Sequence, residues 1–416
     1  MSAAIAVERC RSCASAALEP VLSLGETPVA NALVDPDCAG SDDPRYPLGI
    51  VFCTRCSLVQ LGHALPADHI FDSAYPYYSS FSDAFRRHAA DHVGELISAR
   101  HLGPTSFAVE VASNDGYLLR NFVDAGVRTL GIDPAPGPAA VAEALGVPTI
   151  VGFFGVEQAT SMISEHGPAD VVVANNVMAH VPDLNDFVGG FAVLLADDGL
   201  LTIENPYVRD LIEGVEFDTI YHEHYCYFSC TSVDALMRRH GLHLNDVEYF
   251  PELHGGTLRW HVAKVDQRTA RCQQYLGDER AAGMTEVAYY ARFSDQVHEC
   301  QAALRHLLGE LRDAGRTVAA YGAAAKGATL LNSTGIGADL IEYVVDRNVH
   351  KQGKLMPGCR LPIRPVEVLL EERPDDLLLL AWNFAAEIVV QQRQFASAGG
   401  TFYVPVPLPH RVEPTG

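Results

Sequence analysis

Two C-x-x-C knuckles, Cys10-Arg-Ser-Cys13 and Cys53-Thr-Arg-Cys56, constrain this chain more than any other feature. Each lets two thiolates meet one ion from a tight turn. Placed about forty residues apart, the pairs suit a tetrahedral zinc on Cys10, Cys13, Cys53 and Cys56. A segment of ~70 residues has little core of its own, so the metal is expected to supply folding energy. A redox pair is the alternative for such a knuckle, but two matched knuckles favour structural zinc. Four cysteines leave no open coordination position, and no catalysis is assigned to the ion. Short apolar runs at 22–33 and 46–51 read as small strands and loops. The polar, aromatic stretch Asp72-Ser-Ala-Tyr-Pro-Tyr-Tyr-Ser79 reads as a linker able to fold over a neighbouring pocket.

At 416 residues the chain exceeds one ordinary core, and a prior of ~150 residues per domain suggests three units. Its 48% hydrophobic and 20% charged residues describe a globular protein. No stretch approaches ~18 uninterrupted apolar residues and no basic flank precedes an apolar run at the N-terminus, so a cytoplasmic location without a membrane span is expected. A net charge of −22 opposes binding to nucleic acid or an anionic membrane, and a phosphorylated ligand would need local basic groups or helix N-termini. Ten cysteines in so long a chain do not make a secreted disulfide framework.

The middle of the chain alternates strand and helix signals. Phe107-Ala-Val-Glu-Val-Ala-Ser-Asn-Asp-Gly116 is a buried-strand pattern ending in a polar turn; a helical run over 117–125 and the strand Thr129-Leu-Gly-Ile-Asp133 follow. Such βαβ units bind nucleotide-like cofactors at the carboxyl ends of their strands, where Asp133 is placed for ribose hydroxyls. A third buried strand ends in Asn175 and Asn176, and a fourth spans 199–204. A pyrophosphate needs a G-x-G-x-x-G nest, whereas Ala112-Ser-Asn-Asp-Gly116 has one glycine and an extra carboxylate. Glu110 and this acidic turn suit instead the zwitterionic methionine moiety and sulfonium of S-adenosylmethionine.

The densest proton-transfer capacity lies at Tyr221-His-Glu-His-Tyr-Cys-Tyr-Phe-Ser229. Read as an extended segment, it projects Tyr221, Glu223, Tyr225 and Tyr227 to one side and His222, His224 and Cys226 to the other, so that one face lines a pocket and the other orients it. A bend is then needed for Tyr221, Glu223 and His224 to converge, and His222 competes with His224 as a base. Helical periodicity over 289–314 leads into a second strand–turn–helix unit at 317–329, where Lys326 and helix N-terminal amides could hold a diphosphate. Asp346 ends a further strand, placed to meet a ribose or base, and Asn383 of Trp382-Asn383-Phe384 stands where open sheets bind ligands.

Taken in order, Cys10/Cys13 with Cys53/Cys56, Tyr75-Pro-Tyr-Tyr-Ser-Ser80, Val109-Glu-Val-Ala-Ser-Asn-Asp-Gly116, Asn175-Asn-Val-Met-Ala-His180, Tyr221-His-Glu-His-Tyr225, His254-Gly-Gly256 and Tyr321-Gly-Ala-Ala-Ala-Lys-Gly327 resemble the ketosugar C-methyltransferases of antibiotic deoxysugar biosynthesis over nearly the whole chain. The resemblance implies an α/β protein with an N-terminal four-cysteine zinc-binding domain (1–72), a central class I S-adenosylmethionine methyltransferase domain of Rossmann-like form (73–285) and a C-terminal Rossmann-like domain (286–416) contributing to sugar-nucleotide binding. Glu110, Ser113, Asn114, Asp133, Asn175 and Asn176 would be cofactor contacts, with Phe153 or Phe154 near adenine. Tyr75, His180, Tyr221, Glu223 and His224 would form the catalytic group, with His224 ahead of His222 as base. Tyr77, Tyr78 and His254 would meet substrate beside Lys326, Asp346 and Asn383.

The substrate implied is a nucleotide-linked 4-keto-deoxysugar, expected as its dTDP form and methylated at C-3′. The expected state is a monomer or weak homodimer. One rival is an NAD(P)-dependent sugar-nucleotide oxidoreductase or epimerase, opposed by the missing G-x-G-x-x-G at both turns. Another is a zinc-ribbon interaction protein with a degenerate cofactor fold, opposed by the intact Tyr-His-Glu-His cluster.

Overall fold

The computed structural model describes residues 4–66, 79–81, 83–253 and 255–413. Its central sheet runs in the order His243–Phe250, Thr257–Ala263, Leu195–Pro206, Ala169–Asn175, Phe107–Val111, Arg128–Asp133 and Thr149–Val151. The last five strands are parallel and the first two antiparallel. Val171, Val172, Val173 and Ala174 are all fully buried, because a parallel strand covered on both faces has no solvent side and loses its alternation. Ala89, Val93 and Leu96 of the helix Asp83–Arg100 cover Val171 and Val173. Leu184, Val188 and Phe191 of the helix Leu184–Leu194 cover Val172 and Ala174. That second helix starts where the Asp183 carboxylate accepts from the N–H groups of Asn185 and Asp186. Chain order reverses between Phe107–Val111 and Ala169–Asn175, and the carboxyl edge at such a switch point is where open α/β sheets take ligands.

A second sheet has the order Ile363–Arg364, Val344–Val345, Val318–Tyr321, Asp376–Leu379, Thr401–Val404 and His410–Val412. It is parallel except for its last strand. The helical run expected over 289–314 is divided into Val287–Tyr290 and Phe293–Asp313. Among the described residues, no helix is long and apolar enough to cross a membrane.

The N-terminal segment forms an antiparallel sheet from Leu18–Thr27, Tyr46–Cys53 and Val59–Leu61, and its fourth strand, Cys226–Tyr227, comes from the middle of the chain. Cys226 pairs with Gln60 and Tyr227 with Val59, while the Leu61 N–H donates to the Tyr225 carbonyl at 3.0 Å. The stretch 221–229 is therefore not one extended strand. The His224 N–H donates to the Tyr221 carbonyl at 2.9 Å, a turn that redirects the chain so that Tyr225 can reach the Ala179 carbonyl at 2.7 Å and the zinc-side sheet together. Val34 and Leu355 exchange backbone hydrogen bonds of 2.9 and 2.8 Å, and Arg360 pairs with Asp43 at 2.7 Å, so the N-terminal segment also grips the second sheet.

Buried Glu279 holds the other end of the stretch 221–229. It accepts from the Tyr207 hydroxyl at 2.9 Å, the Cys230 and Thr231 N–H groups at 2.7 and 2.8 Å, and the Thr231 hydroxyl at 2.6 Å. Its charge sits at the N-terminus of the helix Cys230–Arg239, where a carboxylate is favoured. Glu279→Ala should strand these donors and cost about 3 kcal/mol, read as a lower midpoint in urea unfolding. Glu279→Gln, which keeps an acceptor oxygen, should cost less.

Candidate active site

The four knuckle sulfurs lie within 4.8 Å of one another, with Cys10 and Cys56 at 3.5 Å and Cys13 and Cys53 at 3.6 Å. Four thiolates about 2.3 Å from one ion would stand about 3.8 Å apart, so this set fits tetrahedral zinc. The knuckles share one backbone form. The Ala14 N–H returns to the Cys10 carbonyl and the Ser57 N–H to the Cys53 carbonyl, each at 2.9 Å, with Ala14 and Ser57 both at positive φ.

At the carboxyl edge of the central sheet, Asp133 accepts from the Asn114 N–H at 2.9 Å and the Ala135 N–H at 2.8 Å. Its first duty is thus to order the turn, and burial pushes its carboxyl up against the pull of those two donors. Asn114 accepts the Ser79 N–H at 2.9 Å. Ser113 does not face the cleft; it is fully buried, and a Cβ on Gly131 would stand 2.4 Å from its hydroxyl. The small strand residue and the inward serine fit each other, and the Ser113 hydroxyl is buried with no partner among the described residues.

Glu110 Oε2, Asp115 Oδ1, Asn175 Oδ1 and Asn176 Oδ1 are buried acceptors with no partner among the described residues. Burial, followed by Asp133 and Asp115, raises the Glu110 carboxyl well above the ordinary range. Orphaned acceptors gathered at one edge suit a ligand that brings donors and positive charge, such as an amino group, ribose hydroxyls and a sulfonium, rather than a pyrophosphate. The residues present therefore fit S-adenosylmethionine. Phe153 is 65% exposed beyond the strand Thr149–Val151, whereas Phe154 packs on Phe187 and Phe191 with centroids 5.6 and 5.1 Å away.

A cleft beside this edge is lined by Asn205, Thr219, Tyr221, His224, Tyr227 and Lys326, among others. The turn at 221–224 brings the Tyr221 hydroxyl within 2.8 Å of His224 Nε2. His224 Nδ1 lies 3.0 Å from the Thr219 carbonyl, which can only accept. In the neutral ring Nδ1 therefore carries the hydrogen and Nε2 accepts from Tyr221. His180 Nδ1 donates to the Glu223 carbonyl at 2.9 Å, and its ring meets that of His224 edge-on at 4.7 Å. Burial lowers the His180 pKa to about 4.

His222 points elsewhere. It is buried against Tyr46, 6.0 Å between centroids, with its pKa lowered by burial to about 4. The Glu223 carboxylate also leaves the cleft for the N-terminal segment, where the Asn31 amide donates to both oxygens at 2.9 and 2.7 Å. Tyr221, His224 and His180 thus converge, while Glu223 joins them only through its carbonyl. Asn31, Asn205, Asp218 and Thr219 were absent from the sequence reading. Asn205 was findable as a polar residue at the same strand edge as Asn175; Asn31 carries no local signal.

The Lys326 ammonium donates to Asn383 Oδ1 at 3.1 Å and lies 4.2 Å from the Trp382 ring centroid. The Trp382 indole N–H donates to Asp218 Oδ2 at 2.7 Å. Lys326 thus stands at the cleft, with Asn383 as its hydrogen-bond partner. Asp346 instead orders the first turn of the second sheet, accepting from the Ala323 and Asn348 N–H groups at 2.7 Å each. Tyr75, Tyr77, Tyr78 and His254 lie outside the described residues. Next to the last, Gly255 and Gly256 have φ of +92° and +122°, and Cβ atoms there would stand 2.6 Å from the Glu216 carboxylate and 2.0 Å from that of Asp210. Only glycine allows that approach.

Comparison with known proteins places these features together. The chain is 38% identical over 408 residues to the C-methyltransferase NovU of Streptomyces niveus, covering 97% of this chain and 96% of that protein. An uncharacterized methyltransferase of Mycobacterium leprae (strain Br4923) is 29% identical over 140 residues, 32% of this chain and 48% of its own. Family models match for a zinc-binding domain at 10–71, a methyltransferase domain at 83–247 and a C-methyltransferase C-terminal domain at 252–407. Among solved structures, magnesium protoporphyrin IX methyltransferase from Synechocystis PCC 6803 aligns with a TM-score of 0.34 and 12% identity over 43% of this chain and 79% of that one, a likeness too slight to carry an argument.

Elemental analysis should find about one zinc per chain, and Cys53→Ser should release it and lower the unfolding midpoint. Burial, partly offset by Asn31, pushes the Glu223 carboxyl up to about 7 from 4.5. A raised carboxyl pKa means that the fold favours the protonated form, so this contribution to stability is full below pH 4.5 and lost as pH rises through about 7. Glu223→Gln should flatten that loss, leaving the variant more stable than wild type above pH 7 in urea titrations across that range.

Proposed function

Because the chain belongs to the C-methyltransferase family, we propose that it transfers the methyl group of S-adenosylmethionine to C-3′ of a nucleotide-linked 4-keto-deoxysugar, with His224 as the base. The observation that carries the reading is the fixed tautomer of His224: with Nδ1–H held by the Thr219 carbonyl, Nε2 is the basic atom, and it lies on the cleft beside Tyr221. The reading divides the chain into a zinc-binding unit at 1–72, a methyltransferase unit at 73–285 and a sugar-nucleotide unit at 286–416.

The ketone at C-4′ acidifies the hydrogen at C-3′. His224 Nε2 takes that proton while the Thr219 carbonyl steadies the imidazolium through Nδ1–H. The Tyr221 hydroxyl, released from Nε2, becomes a donor to the substrate oxygens. His180, held neutral by burial, packs against the base and fixes its plane. Glu110, Asn175 and Asn176 orient the donor from the sheet edge, with Asp133 ordering the turn between them. Held there, S-adenosylmethionine would supply a methyl group made electrophilic by its sulfonium. An NAD(P)-dependent oxidoreductase would set a pyrophosphate against the orphaned carboxylate and amide oxygens at this edge, a repulsive match.

Deuterium exchange tests the base. In deuterated water without the methyl donor, wild type should exchange the C-3′ hydrogen of a dTDP-4-keto-deoxysugar, followed by NMR. His224→Asn should lose exchange and methylation by roughly 10² to 10⁴ while binding both ligands. Near-normal turnover in His224→Asn, with turnover abolished in His222→Asn, would move the base to His222.

A further inference from the structure

Taking a proton from C-3′ places negative charge on the C-4′ oxygen, and three acids, Asp210, Glu216 and Asp218, lie in the segment that leads to the cleft-lining Thr219. Asp218 is fully buried and Glu216 is 8% exposed. Asp218 Oδ1 and Asp210 Oδ2 are buried with no partner among the described residues. Burial raises the carboxyls of Asp210 to about 6 and Glu216 to about 8, and pushes that of Asp218 upward. Burial thereby favours their protonated forms.

Among the described residues that line the cleft, Lys326 is the one lysine or arginine. Asn383 and the Trp382 ring hold its head from neutral sides, at 3.1 and 4.2 Å, so its position is fixed. Trp382 is itself tied to the catalytic lead-in through Asp218 at 2.7 Å. Burial lowers the Lys326 pKa, and Asp218 and Glu216 oppose that shift. The first helix of the second sheet thereby delivers an amine to a cleft lined by the hydroxyls of Thr219, Tyr221 and Tyr227 and by His224.

We propose that Lys326 stabilises the C-4′ enolate oxygen formed when His224 takes the C-3′ proton, in place of the diphosphate-holding role that its helix position suggests. This deepens the function proposed above and rests on it. The C-3′–H bond breaks with its proton passing to His224 Nε2; its electron pair becomes the C-3′–C-4′ π bond, and the carbonyl π pair moves to the oxygen beside the ammonium. Lys326 gives up no proton, and the ketone reforms as the new carbon–carbon bond is made. A preorganised charge aimed at such an oxygen acts on the transition state more than on the ground state.

The experiment compares wild type, Lys326→Met, Lys326→Arg and Asn383→Ala on a dTDP-4-keto-deoxysugar. It measures C-3′ deuterium exchange without donor, kcat and KM of methylation, and substrate affinity by calorimetry. Lys326→Met should lower exchange and kcat together by about 10²-fold or more, with affinity changed by less than about threefold. Lys326→Arg should recover at least about a tenth of the activity, since charge and not amine chemistry is required. Asn383→Ala, which frees the lysine head without removing its charge, should slow exchange by about tenfold at unchanged affinity; this variant carries the test should Lys326→Met fail to fold. A weaker affinity and higher KM with exchange and kcat intact would overturn the proposal in favour of diphosphate binding. Equal loss in Lys326→Arg and Lys326→Met, or unchanged exchange in Asn383→Ala, would also overturn it. A wild type that neither exchanges nor methylates 4-ketosugar nucleotides would defeat the function itself, whereas exchange surviving in Lys326→Met defeats only the role of the lysine.

Discussion

The pairing of Cys226–Tyr227 with Val59–Leu61 is the backbone interaction on which the geometry of the 221–229 stretch depends. It makes that stretch the edge strand of a sheet whose other strands are closed at one end by four cysteines. The knuckle reaches further along the same path. Arg11, between Cys10 and Cys13, donates to the Pro182 carbonyl at 2.6 Å and stands 4.9 Å from the Tyr225 ring centroid, touching both segments that carry the histidines. Free energy supplied by metal binding therefore holds His180 and His224 in place as well as a small sheet. A four-sulfur zinc with no open position need not touch substrate to matter to catalysis.

Burial then sorts the three histidines. His180 and His222 are both pushed down to about 4 by desolvation, which suits neutral packing groups at physiological pH. His224, half-buried at the cleft, keeps one ring nitrogen for a backbone carbonyl and the other for a hydroxyl. The same force acts in reverse on the carboxyls. Glu223 is driven up to about 7 and anchored to Asn31, so a glutamate adjacent to His224 in sequence turns to the N-terminal segment instead.

Local chemistry explains what the sequence made legible. The paired knuckles, the βαβ order, the acid ending each second strand and the Asp183 cap all depend on residues close in sequence, where spacing alone sets geometry. The turn at 221–224 was harder to read. Alternating aromatic and polar residues look like an edge strand, and nothing local shows that Tyr225 must reach both the Ala179 carbonyl and Leu61. Pairs such as Asn31 with Glu223 and Trp382 with Asp218 join residues 192 and 164 positions apart, and only the assembled sheets bring them together.

Asp133 and Asp346 show one device used twice. Each ends the second strand of a parallel unit, and each accepts the N–H of the preceding turn and the N–H two residues on, with all four bonds between 2.7 and 2.9 Å. The turns they order then diverge. The first leaves Glu110, Asn175 and Asn176 with unpartnered oxygens, an edge suited to a cationic ligand rich in donors. The second leads into the helix Ala325–Thr334, whose first turn sends Lys326 toward Asn383, Trp382 and the acids of the catalytic lead-in. The carboxyl edge of the central sheet thus presents acceptors, while the second sheet sends Lys326 to the cleft that Asn205 and His224 also line. The two sheets contribute groups of opposite chemical character, acceptor oxygens from one and an amine donor from the other.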